Sequence, residues 1–81
     1  MMISVHLFAR ARDLAGRDVL PVALPEEASV AELRSAIAKA CPALEALLGH
    51  SRIAVGNDFA TDETKLQENA AVAIIPPVSG G

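Results

Sequence analysis

The sequence predicts an α+β fold: a mixed sheet of four or five strands packed on one main helix, followed by a flexible C-terminal tail ending in Gly-Gly. Three observations carry that prediction. Apolar residues alternate at the N-terminus, a capped amphipathic segment occupies the middle, and a nearly continuous apolar run stands close to the end. At 81 residues the chain forms one domain, and its 52% hydrophobic content suffices for one small core. Sixteen of those hydrophobic residues are Ala, so nine Leu, seven Val and five Ile supply most of the bulk.

Ile3, Val5 and Leu7 alternate with Ser4, His6 and Phe8, the period of a half-buried strand. Arg10 to Gly16 follows as a short helix or turn, with Ala11, Leu14 and Ala15 at helical spacing and Gly16 as its stop. Val19 to Leu24 forms a second strand that folds back on the first as a hairpin. Pro21 lacks a backbone N–H and places that strand at a sheet edge.

Ser29-Val30-Ala31-Glu32 is a capping box, and Val30, Leu33, Ile37 and Cys41 then recur on one helical face. Pro42 ends or kinks that helix and is acceptable as the first residue of another. Leu44, Leu47 and Leu48 make a second short helix, stopped by Gly49. Ser51 to Val55 reads as a third strand with Ile53 and Val55 inward, and Gly56-Asn57-Asp58 is a turn. Phe59-Ala60 adds a short fourth strand, and Thr61 to Asn69 is a polar loop anchored by Leu66. Ala70 to Ile75 is apolar throughout, as a central strand requires. A hairpin, a crossing helix and a central last strand beside the first describe a β-grasp, or ubiquitin-like, sheet. In that arrangement Val72 and Ile74 face the helix, and Ala71, Ala73 and Ile75 face away from it.

Composition narrows the functional classes. The net charge is −3, and Lys39 and Lys65 are the only lysines, so a basic patch for nucleic acid is not expected. The acidic balance favours encounter with a basic protein partner. One cysteine permits no internal disulfide and fits a reducing cytoplasm. The N-terminus opens on a strand-like run without the pattern of a signal peptide, and no apolar run reaches membrane-spanning length.

The ending Pro76-Pro77-Val78-Ser79-Gly80-Gly81 carries the sharpest chemical signal. The expected organisation is a folded body over residues 1–75 and an extended tail over 76–81. Two successive glycines leave bare backbone able to thread a narrow channel. Pro76 and Pro77 stiffen the exit from the core, Val78 offers an apolar anchor and Ser79 a hydroxyl. Fully extended, such a tail reaches about 20 Å at roughly 3.3 Å per residue. It could deliver the Gly81 carboxylate into another protein's active site; the plain alternative is an ordinary chain end. A carboxylate must be acylated by phosphate before sulfur or an amine displaces its oxygen. No phosphate-binding glycine loop or Ser/His/Asp arrangement is present, so activation calls for a separate ATP-using enzyme.

Phe8 and Ile75 sit opposite the inward sets of their strands, and with Phe59 they could form an exposed apolar docking surface. The alternative is a shifted strand phase with both Phe residues in the core. Cys41 reads as a small buried hydrophobe. His6 and His50 have no Cys or carboxylate at metal-ligand spacing, so no metal is expected. Arg12 and Asp13 fit either a solvated surface or a partner salt bridge.

Ile74-Ile75-Pro76-Pro77-Val78-Ser79-Gly80-Gly81 resembles the ending of the small subunits of molybdopterin synthase, the MoaD-type sulfur carriers. The segment Leu7-Phe8-Ala9-Arg10-Ala11-Arg12-Asp13-Leu14-Ala15-Gly16 is similar to that family's Phe-Ala-x-x-Arg-Glu-x-x-Gly pattern, with Asp13 in place of Glu. Gly56 stands where the family often has Asn, and Asn69-Ala70-Ala71 where Gly-Asp-Glu is common. The resemblance implies that an E1-like, MoeB-type enzyme uses ATP to adenylate Gly81, and that a sulfur donor converts it to a thiocarboxylate. It further implies docking on a large MoaE-type subunit in a heterotetramer, and sulfur transfer to cyclic pyranopterin monophosphate. On that reading Gly80 and Gly81 are the reactive end. Phe8, Phe59 and Ile75, continued by Pro76, Pro77, Val78 and Ser79, bind the partner. The chain itself holds no cofactor and is not catalytic alone. Carriers for thiamine or cysteine synthesis also end in Gly-Gly, although the Pro-Pro-Val-Ser approach argues against them. A ubiquitin-like modifier or interaction module is the alternative from another class.

Overall fold

The computed structural model describes residues 1–77. Five strands, β1 (Met2–Leu7), β2 (Val19–Ala23), β3 (Arg52–Val55), β4 (Asp58–Ala60) and β5 (Val72–Ile75), form one sheet in the order β2-β1-β5-β3-β4. β5 runs parallel to β1 and antiparallel to β3, so the last strand is central, as its unbroken apolar character predicts. β2 and β4 are the edges. The Leu24 N–H donates to the Met1 carbonyl and the Leu7 N–H to the Asp18 carbonyl. That alternation turns the backbone of Pro21, paired with Ser4, toward the open edge, where a missing N–H breaks no ladder bond.

The main helix α2 (Val30–Ala40) crosses one face of the sheet. The Ser29 hydroxyl accepts from the Glu32 N–H while the Glu32 carboxylate accepts from the Ser29 N–H, closing the capping box. Val30, Leu33 and Ile37 are fully buried against Ile3, Val5, Leu7, Ile53, Val72 and Ile74. Leu66 pins the long loop beneath them: its N–H donates to the Ala28 carbonyl, and its side chain is 2% exposed.

Several local features differ from the sequence expectation. Phe8 is not the last residue of β1 but the N-cap of α1 (Ala9–Ala15), in extended conformation. α1 buries only Ala11, leaving Leu14 exposed, and ends at Gly16 with φ 71°, the left-handed cap that glycine favours. Cys41 is the C-cap of α2 and only partly buried, because the chain turns there into a 3₁₀ turn over Pro42–Leu44. α3 (Glu45–Leu48) ends at Gly49 with φ −63°, so that glycine does not act as a left-handed stop. The Ser51 hydroxyl instead closes this end by donating to the Leu47 carbonyl. Val55 is half-buried, whereas Ile53 is fully enclosed. Ala70 and Ala71 precede β5 instead of belonging to it.

Candidate functional site

The parallel pairing of β1 with β5 sends β1 toward the same pole as the exit of β5. α1 starts at that pole, and the antiparallel β3 begins there with Arg52. Leu7 is opposite Ile74, so continuing the register by one residue sets Phe8 beside Ile75. Ile75 pairs with Arg52 on its other side, and Ala54 pairs with Phe59. These residues fall on the sheet face away from α2, because their neighbours Leu7, Ile74 and Ile53 point into the core.

Phe8 is 51% exposed and Phe59 60% exposed, so neither belongs to the core. Phe59, Ile75, Pro76 and Pro77 line one depression together with His50 and Arg52. Phe8 lies in the same cross-sheet row but does not line it. Val78, Ser79, Gly80 and Gly81 lie outside the described residues. Because Phe8 is exposed, replacing it by Asp should cost little thermal stability, and if the docking expectation holds it should weaken partner binding far more. Titration calorimetry beside a melting curve checks this, and a melt shifted as far as the loss of a core residue would show that the ring packs inside.

Sequence reasoning missed two parts of this pole. The Arg52 guanidinium stacks 4.7 Å from the centre of the Phe59 ring, an arrangement worth about 0.5–1 kcal/mol at exposed sites. Its signal was present, since Arg52 alternates with Ile53 and must face the side that bears Phe59. The second part is Arg34, on α2. Its guanidinium donates to the Leu48 carbonyl at 2.7 Å, the Ser51 carbonyl at 3.0 Å and Asp62 Oδ1 at 3.0 Å. The carbonyls it holds flank Gly49 and His50, so this clamp fixes the loop that presents His50 beside the tail exit. No spacing in the sequence announces a helix arginine bonded to a loop backbone. Arg12 pairs weakly with Asp18 at 3.9 Å, both largely exposed, and contributes little to stability.

Among the described residues, no helix is long and apolar enough to cross a membrane. His6 lies on the open sheet face opposite Val19 and Ala73, and the described residues hold no cluster of metal-binding side chains.

The ThiS family model matches residues 5–81, almost the whole chain. The chain belongs to the ThiS family. It is 34% identical over 79 residues to the molybdopterin synthase sulfur carrier subunit of Arabidopsis thaliana, covering 98% of this chain and 82% of the relative. Among solved structures, SAMP1 (small archaeal modifier protein 1) of Haloferax volcanii superposes with a TM-score of 0.90 at 26% identity, over the full length of both chains. A putative molybdopterin-converting factor subunit 1 from Pyrococcus furiosus superposes with a TM-score of 0.84 at 30% identity, covering 96% and 99% of the two chains. The fold of this ThiS-family chain is thus the ubiquitin-like β-grasp that the element order predicts, with all five strands present.

Proposed function

We propose that this chain is the sulfur-carrier subunit of a molybdopterin synthase, a body over residues 1–75 with a reactive tail over residues 76–81. The observation that supports this best is the arrangement at β5. A central strand, closed on both sides by neighbours, leads directly into Pro76-Pro77 at the pole where Phe59 and Ile75 are gathered. The similarity to the ThiS family extends through the Gly80-Gly81 end of the sequence. The likeness to the Arabidopsis sulfur carrier directs the reading toward molybdopterin rather than another sulfur-requiring product.

In this reading an E1-like, MoeB-type enzyme spends ATP to adenylate Gly81, with pyrophosphate leaving. A sulfur donor then displaces AMP and leaves a thiocarboxylate. The carrier docks on a large MoaE-type subunit, which supplies the acid and base groups for transfer to cyclic pyranopterin monophosphate. The contribution of this chain is positioning: a rigid sheet fixes where the tail starts, and the tail length sets how far the sulfur reaches. The test is the intact mass of the chain isolated from its own cells, both without and with depletion of the large subunit. Exchange of one oxygen for sulfur at Gly81, accumulating on depletion, supports the reading; its absence from both samples rejects it.

The superposition on SAMP1 favours a second reading, a modifier joined through Gly81 to amines of other proteins. Amide-linked conjugates at Gly81 in the same mass analysis would identify that use.

A further inference from the structure

The net charge of the chain is −3, yet the surface around the tail exit is cationic. Two depressions meet there. One is lined by Arg10, Leu14, Ala43, Ala46, Leu47 and His50. The other holds Arg52, Phe59, Ile75, Pro76 and Pro77, and His50 borders both. Among the described residues, no carboxylate lines either. Asp13 and Glu45 come from the same helices but line neither, and Glu45 opens onto a separate cleft beside Arg34.

Among the described residues, Arg10 and Arg52 make no ion pair and the His50 side chain makes no hydrogen bond. The nearest carboxylate beyond β4, Asp62, is taken by Arg34 at 3.0 Å. Asp58 stands at the opposite end of the β3–β4 ladder from Arg52, paired with Val55, and Glu68 precedes the entry to β5. The chain therefore leaves β5 through a band of arginine, histidine and apolar groups that no acid among the described residues pairs with.

We propose that this Arg10–His50–Arg52 band is a docking site for carboxylates on the large subunit that receives the tail, flanked there by apolar groups that cover Phe59 and Leu14. This rests on the sulfur-carrier reading above and specifies the partner's chemistry. Charge complementarity selects the occupant: two arginines, Arg10 and Arg52, that make no ion pair among the described residues, with the His50 ring beside them, match an acidic surface, and a basic surface would be repelled. The overall acidity of the chain points the other way, but screening over about 8 Å at physiological salt makes the local cations decide at contact. Phe59 strengthens the site by stacking against Arg52, which holds the guanidinium over the sheet face and lowers the entropy lost when a carboxylate binds it.

The test measures affinity of the full chain for the large synthase subunit from the same organism, at low and high salt, for wild type, Arg52→Glu, Arg52→Gln and Lys39→Glu. Lys39 is exposed on α2, which covers the sheet face opposite the one that bears Arg52 and Phe59; it lines neither depression, and its reversal changes net charge as much as that of Arg52. Melting curves establish that each variant is folded. Arg52→Glu should weaken binding at least about tenfold and Arg52→Gln by less, both losses shrinking at high salt, with Lys39→Glu within about twofold of wild type. Equal effects of Arg52→Glu and Lys39→Glu would overturn the docking site while leaving the sulfur-carrier reading standing. A wild-type chain that does not bind the large subunit at all would overturn both.

Discussion

Removal of Gly81 should abolish sulfur transfer and leave the fold and partner docking nearly unchanged. Among the described residues the last member of the core is Ile74, and the final strand ends at Ile75. Truncation by one residue takes nothing from that core, so the melting temperature should stay within a few degrees, since about 1 kcal/mol corresponds to roughly 4–8 °C for a domain of this size. Phe8, Phe59 and Ile75, the residues proposed to dock, also remain. What changes is chemical reach. The new carboxylate would sit about 3.3 Å short of the reacting atoms, beyond the tolerance of a near-attack geometry. Transfer should fall by at least about a hundredfold in single-turnover assays with the activated carrier. Wild-type rates from the truncated chain would remove Gly81 from the reaction. A collapse in stability would assign the tail a structural role instead.

Much of the fold was legible because its signals are local. The alternation at Ile3-Val5-Leu7, the Ser29–Glu32 capping box and the donor missing at Pro21 each specify one physical arrangement, and the structure has all three. Chain ends of elements were less legible. Phe8 continues the alternation of β1 in sequence, but its carbonyl accepts from the Ala11 N–H and starts a helix. Gly49 resembles a helix stop, yet its right-handed conformation shows that the bond from Ser51 does that work. The outward phase of Phe59 and Ile75 was readable from neighbours that must point inward. The Arg34 clamp was not, because it links α2 to loop carbonyls of Leu48 and Ser51 whose positions only the tertiary structure defines.

The composition pointed to an acidic surface, and the structure refines that statement by location. Charge is segregated along the β3–β4 hairpin: Arg52 at the end where the tail leaves, Asp58 at the turn end. On the proposed reading, a carrier that meets both an activating enzyme and a large subunit gains from this arrangement. The acidic remainder makes copies of the chain repel one another, while the proposed contact region can still favour an acidic partner.

Adjacent residues of β5 should separate folding from docking most sharply. Ile74 is fully buried between α2 and the sheet, whereas Ile75 lies on the open face, opposite Arg52. Ile74→Ala removes side-chain volume from a site that the rigid sheet prevents from collapsing, at a cost of about 2–5 kcal/mol. A domain of this length has only some 4–12 kcal/mol in total, so the melting temperature should fall by at least about 10 °C. Ile75→Asp leaves the core intact and should cost less than about 1 kcal/mol of stability. On docking, however, it replaces an apolar contact worth about 1.5–3 kcal/mol with a carboxylate that is buried without a partner or drawn onto Arg52. Affinity for the large subunit should drop roughly a hundredfold, while Ile74→Ala, assayed below its lowered melting temperature, should bind nearly as wild type. The reverse pattern, a stable Ile74→Ala and an unfolded Ile75→Asp, would require β5 to be rotated by one residue. That rotation would carry Ala73 and Ile75 inward and remove the surface on which the docking argument stands.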